Sequence, residues 1–177
     1  RYRENMDKLL ERIKREAGPK LLLVTPSPFD QTAVNDRNNN QPGCNDGLAR
    51  CAGMVSELAR KYGGEVVDFH GPMTAFNAER QKSDPAYTII GPDRVHPGAP
   101  GHLMMAWLFL KAQGAPACVS KVVVDAGAAQ AVESVNAAVT GVAKAGKTLR
   151  FTVLEKALPF PVDPETQPLL ALVPVEQ

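Results

Sequence analysis

Apolar residues recur at helical spacing over residues 1–17, where Tyr2, Met6, Leu9, Leu10 and Ile13 share a face and Lys and Glu fill the others; Gly18-Pro19 ends the run. Lys20 to Thr25 (KLLLVT) is a short, near-continuous apolar run, as in a strand covered on both faces. Pro26-Ser27-Pro28-Phe29-Asp30 turns the chain at its carboxyl end. Periodicity then disappears from Gln31 to about Asn45, where Asn38-Asn39-Asn40 and Pro42-Gly43 mark a long loop. Loops of that length are either mobile or functional.

Leu48, Cys51, Ala52, Val55, Leu58, Ala59 and Tyr62 predict a second helix, capped by Asn45 or Asp46 and closed by Gly63-Gly64. Glu65 to Phe69 is the next strand. Residues 72–82 follow as a short helix with Pro72 near its first position. Past Asp84-Pro85, Tyr87 to Ile90 leads into Asp93-Arg94-Val95-His96-Pro97-Gly98-Ala99-Pro100-Gly101-His102. The apolar run Leu103, Met104, Met105, Ala106, Trp107, Leu108 and Leu110 then predicts a helix to about Gln113, with Trp107 and the two methionines in the core. Alternating helices and strands argue for an α/β layered domain with a parallel sheet, whose sites form at the carboxyl ends of strands.

From Ala117 the pattern changes. Val119–Val124, Gln130–Val139 and Leu149–Leu154 are rich in valine and small residues and are separated by Gly-containing turns. Four prolines punctuate 159–168, and Leu169–Val175 reads as a further strand. The expected organisation is therefore an α/β part over 1–115 and a small, mostly β appendage over 116–177, with no internal repeat.

Composition narrows the function classes. At 44% hydrophobic and 22% charged residues, 177 residues bury a sizeable core. A net charge of +1 with no basic patch argues against a nucleic-acid partner. The apolar runs are too short and interrupted to span a bilayer. Cys44, Cys51 and Cys118 form no paired framework and no CxxC; a bridge between Cys44 and Cys51 stays open. The chain opens at Arg1 without Met or a signal segment, so it reads as a processed or partial chain.

The candidate chemistry lies in Asp93 and His96, three residues apart on a proline-stiffened loop. An Asp that accepts a hydrogen bond from one imidazole nitrogen fixes the tautomer and leaves the other nitrogen to take a proton from a nucleophile. The same spacing also suits a hydrogen bond that merely stabilises a loop. His102 reads as a packing or capping residue. His70 reads as structural, since with Asp68 it makes a poor metal pair. Ser27, between two prolines at a strand end, lacks the strand-to-helix elbow of a nucleophilic serine.

The DxxH block running through HPGAPGH into a helix resembles the late block of the SGNH hydrolases, the GDSL-type esterases and lipases. YRENMDKLLERIK, KLLLVTPSPFD and ELARKYGGEVVDF fit upstream elements of that family, and the resemblance covers roughly residues 1–113. It implies a flavodoxin-like parallel sheet with flanking helices, metal-free and cofactor-free hydrolysis of an acyl ester, His96 as general base and Asp93 as its orienting acid. It also implies a secreted or periplasmic setting and a small acyl ester, such as an acetylated carbohydrate, as substrate. The family's nucleophilic Ser in a Gly-Asp-Ser block and its Gly and Asn oxyanion donors have no counterpart among Ser27, Ser56, Ser83, Ser120, Ser134 and their neighbours. Those blocks are expected upstream, in an amino-terminal half of the same domain. Two rivals stand beside this reading: a degenerate SGNH-like module that binds a glycan or protein, and an α/β enzyme using Asp93 and His96 with a metal.

Overall fold

The structure, a computed structural model, describes residues 1–116, 118–158 and 164–170. Helix α1 (Tyr2–Ala17) ends at Gly18, whose φ of 57° lets its N–H reach the carbonyls of Ile13 and Lys14. Strand β1 (Leu22–Val24) and strand β2 (Glu65–Val67) pair in parallel, with α2 (Cys44–Tyr62) as the crossover between them. Helices α3 (His70–Gln81) and α4 (Ala99–Ala112) also belong to the α/β part.

Side-chain alternation along β1 and β2 separates two cores. Leu21 and Leu23 join Leu10, Val55, Leu58 and Ala59, with Met6, Ile13 and Val66 packed alongside, under α1 and α2. On the opposite face Val67 packs with Phe69, Met73, Ile89, Ile90 and Met104, and Leu22 leans on them. The result is helix, sheet and helix in three layers. Burying a side chain such as Leu58 contributes about 1.5–3 kcal/mol, and each core holds several. Gly64 lets α2 hand over to β2: a Cβ there would sit 3.1 Å from both Cβ and carbonyl oxygen of Leu21.

Among the described residues the expected flavodoxin-like sheet amounts to these two parallel strands. Tyr87–Ile90 adds no strand, only a bridge between Ile90 and Pro97. The first turn of α2 also departs from expectation. Its cap is Gly43 in the left-handed region (φ 86°), so Asn45 and Asp46 lie inside the helix. Helix α3 begins two residues earlier than expected, at His70, so Pro72 stands in its first turn but not at its first position. Cys44 and Cys51 both lie on α2. Seven residues along a helix rise about 10.5 Å, beyond the reach of a disulfide, and all three cysteines are free.

A second compact unit begins at Pro116. It contains two antiparallel hairpins, β3 (Lys121–Asp125) with β4 (Gln130–Val135) and β5 (Ala137–Ala145) with β6 (Thr148–Glu155). The expected strand over Gln130–Val139 is broken at Asn136, whose φ of 50° turns the chain between β4 and β5. Asn tolerates that conformation through local hydrogen bonding, and its side-chain amide donates to the Val119 carbonyl.

The end of the chain differs more. Pro164–Thr166 forms a 3₁₀ turn and Gln167–Leu170 a short helix, α5, where a strand from Leu169 was expected; the rest of that expected strand, 171–175, lies outside the described residues. This segment belongs to the α/β unit, not to the β-rich appendage, because Leu169 is 2% exposed in the core with Val67 and Met73.

Candidate active site

Local backbone chemistry builds the Asp93–His96 loop. The Gly91 N–H donates to the His96 carbonyl at 2.6 Å and the Arg94 N–H to the Gly91 carbonyl at 2.8 Å. Gly91 is required there, since a Cβ would fall 2.8 Å from the His96 carbonyl oxygen. Asp93 Oδ1 accepts the backbone N–H groups of Val95 and His96, each at 3.0 Å. That leaves Oδ2 for the imidazole, 2.5 Å from His96 Nδ1.

An ionised carboxylate only accepts hydrogen bonds, so Nδ1 carries the proton in the neutral ring. The hydrogen bond from the His96 ring, followed by those from the His96 and Val95 amides, holds the Asp93 carboxyl well below the usual carboxylate range. The side chain of His96 is 84% exposed, and its Nε2 makes no hydrogen bond with any described residue. The sequence-predicted pair is thus brought together, with a basic nitrogen facing solvent.

Two further residues carry the loop, and sequence reasoning missed both. Arg94 is 4% exposed with φ 68°. Its Nη1 donates to the carbonyls of Asp30 (2.8 Å) and Ala33 (2.9 Å), its Nη2 to Asn35 Oδ1 (3.0 Å) and its Nε to Asn39 Oδ1 (2.9 Å). The Asp30 N–H returns a bond to the Arg94 carbonyl, and Asn39 Nδ2 donates to the Pro92 carbonyl.

Asp30 anchors the other side of the same loop. Its carboxylate accepts from the Thr32 and Ala33 amides, from Asn77 Nδ2 and from Gln81 Nε2. Burial pushes the Asp30 carboxyl up, but hydrogen bonds from Thr88 and from the Ala33 and Thr32 amides outweigh it and hold it below its ordinary value. The sequence signal for Asp30 was a lone charge within an otherwise uncharged stretch, and Arg94, next to Asp93, offered none.

The remaining candidates stand elsewhere. His70 is buried, with Nε2 3.0 Å from Asn45 Oδ1 and its backbone N–H on the Thr25 hydroxyl, which also bonds Asp68. His102 is exposed and its N–H closes the first turn of α4 on the Gly98 carbonyl. Ser27 is half-buried, and no serine hydroxyl among the described residues bonds His96. No three His, Cys, Asp or Glu side chains among the described residues gather as metal ligands. No described helix is long and apolar enough to cross a membrane.

Fold and site together define a mixed α/β domain that presents an Asp-oriented histidine on a hydrogen-bonded loop. No protein-family model and no curated protein matches the chain. Among solved structures it is similar to BT4096, a gut microbial diltiazem-metabolizing enzyme, at 35% identity and a TM-score of 0.81 over 92% of this chain. The chain spans 38% of the length of that enzyme. LAE5, an alpha/beta hydrolase enzyme from the metagenome of Lake Arreo, is 21% identical with a TM-score of 0.44, covering 64% of this chain and 46% of that one. A catalytic mutant of Axe2, an acetylxylan esterase from Geobacillus stearothermophilus, is 23% identical with a TM-score of 0.47 at the same coverages.

Proposed function

We propose that this chain supplies the acid–base half of an SGNH-type serine esterase site, the nucleophilic Ser and the oxyanion donors coming from a segment outside the 177 residues. One observation carries the reading. His96 is locked through Nδ1 to an ionised Asp93 at 2.5 Å, while its Nε2 is open to an incoming hydroxyl. The likeness to an enzyme 35% identical supports it, since this chain spans only part of that enzyme's length.

In the mechanism, His96 Nε2 takes the proton of the serine hydroxyl as its oxygen adds to the acyl carbon. The imidazolium then protonates the leaving alcohol as the acyl-enzyme forms. Water adds to the acyl-enzyme with His96 again as base, and the serine leaves with its proton restored. Asp93 keeps the tautomer and steadies the imidazolium throughout. The proposed substrate is a small acyl ester, such as an acetylated carbohydrate, in a secreted or periplasmic setting.

The test is serine labelling by a fluorophosphonate, read by intact mass, in a protein that joins this chain to its nucleophile-bearing segment. The expected result is an adduct outside these 177 residues that is lost in His96→Ala. Turnover of an acetyl ester should fall on the order of 10⁴-fold in Asp93→Asn, as when an orienting Asp is lost from a Ser-His-Asp triad. Labelling and turnover that survive His96→Ala would sink the reading, and ligand binding without any labelling would favour the degenerate binding module.

A further inference from the structure

Arg94 has the wrong chemistry for a residue kept only to fill space. It is a buried guanidinium whose four direct partners are neutral oxygens, none a carboxylate. An unpaired buried cation is costly, and so is a positive φ on a non-glycine residue. Both costs fall on the residue immediately after Asp93, and every acceptor it uses lies between Asp30 and Asn39.

Resting on the proposed role of His96 as base, we infer that Arg94, with Asn39, is the positioning residue that holds the Asp93–His96 turn in register. The tether runs in both directions. Arg94 grips the 30–39 loop through its side chain, and that loop grips the turn through Asn39 on the Pro92 carbonyl and the Asp30 N–H on the Arg94 carbonyl. The left-handed Arg94 backbone directs the Val95 and His96 amides onto Asp93 Oδ1, which leaves Oδ2 for the ring. With the tether gone, Arg94 relaxes toward negative φ, the two amides leave Asp93, and the carboxylate no longer faces Nδ1.

The experiment reads the ring nitrogens of His96 by ¹⁵N NMR in this chain, assigned by a His96→Gln variant, at a pH where the imidazole is neutral. The wild type is expected in the Nδ1–H form dictated by Asp93. Arg94→Lys offers a point donor that cannot span four acceptors. Arg94→Gly relieves the backbone but removes the tether, and Asn39→Ala cuts one of the two return bonds together with one of the four acceptors of the Arg94 side chain. Each should move the ring to predominantly the Nε2–H form while the amide signals of α2 stay in place.

A wild-type tautomer in Arg94→Gly would overturn the inference, since the turn would then hold itself. Should the Arg94 variants not fold, Asn39→Ala decides by the same criterion. The tautomer needs no turnover, so its result is separable from the esterase reading. A shifted tautomer in a protein without esterase activity would retain Arg94 as positioning residue and remove the proposed reaction. An unchanged tautomer in an active esterase would do the reverse.

Discussion

Replacing glycine by alanine should have opposite effects in two helices of the α/β unit. Gly53 lies exposed in α2, and a Cβ there meets nothing within 4 Å. Gly53→Ala should therefore stabilise by about 0.5–1 kcal/mol, the backbone entropy that glycine gives up in a helix. Gly101 is buried in the first turn of α4, where a Cβ would fall 2.4 Å from the Ile89 carbonyl oxygen and 2.8 Å from Pro97 Cβ. Carbon contacts are most favourable near 3.5–4.0 Å, and neither neighbour is the free end of a flexible side chain. Overpacking of this kind costs about 1–3 kcal/mol.

The upper part of that range applies at Gly101, because relief requires α4 to lift from the Ile89–Ile90 segment. Helix propensity returns under about 1 kcal/mol in a first turn, so Gly101→Ala should destabilise by a net of about 1–2 kcal/mol. Urea unfolding followed by helix signal measures both variants in one transition. With a slope of about 2 kcal/mol/M, the midpoint should fall by about 0.5–1 M for Gly101→Ala and rise for Gly53→Ala. A midpoint for Gly101→Ala that rises like that of Gly53→Ala would refute the described seating of α4 on Ile89, and with it the placement of the loop that bears His96.

Leu169→Ala should destabilise the α/β unit by about 2–5 kcal/mol, measured by the same urea titration; a loss under about 0.5 kcal/mol would remove Leu169 from that core. Asp30 has a folded-state pKa below its ordinary value of 3.8, so its contribution is fully present above about pH 4 and is lost as pH falls through the lower folded value. Asp30→Asn should consequently be less stable than wild type at pH 7, and the gap should narrow in acid; urea midpoints that differ equally at pH 7 and below pH 3 would contradict the assignment. Asp93 carries the same sign of dependence, so the comparison is made on the Asp30 variant and not on the wild-type slope alone.

Periodic hydrophobic patterns were the legible part of the sequence. Helix α1 and the end of α2 at Gly63 followed from apolar spacing and from glycine's access to positive φ. Asp93 and His96 were readable because their chemistry is compressed into four residues. What escaped depended on contacts distant in sequence. Asn45 has the composition of a cap, yet its side chain is drawn across to the Phe29 amide and His70 ring, so Gly43 takes that position. Leu169 looks like a strand residue until the vacancy in the core near Met73 and Met104 is known. Arg94 carries no periodic signal at all; its role exists only once the 30–39 loop lies over it.

The bonds from the Arg94 side chain join residues 55 to 64 positions apart. Closing so long a stretch of chain is repaid only after the elements between have packed. On a growing polypeptide, the Asn-rich segment waits without its guanidinium until Arg94 has been synthesised. The amides pinned between the two loops therefore belong to a region that opens more readily than the helical cores, and they should exchange with solvent hydrogen ahead of α2. Order in the 30–39 segment is in this sense borrowed from a residue made more than fifty positions later.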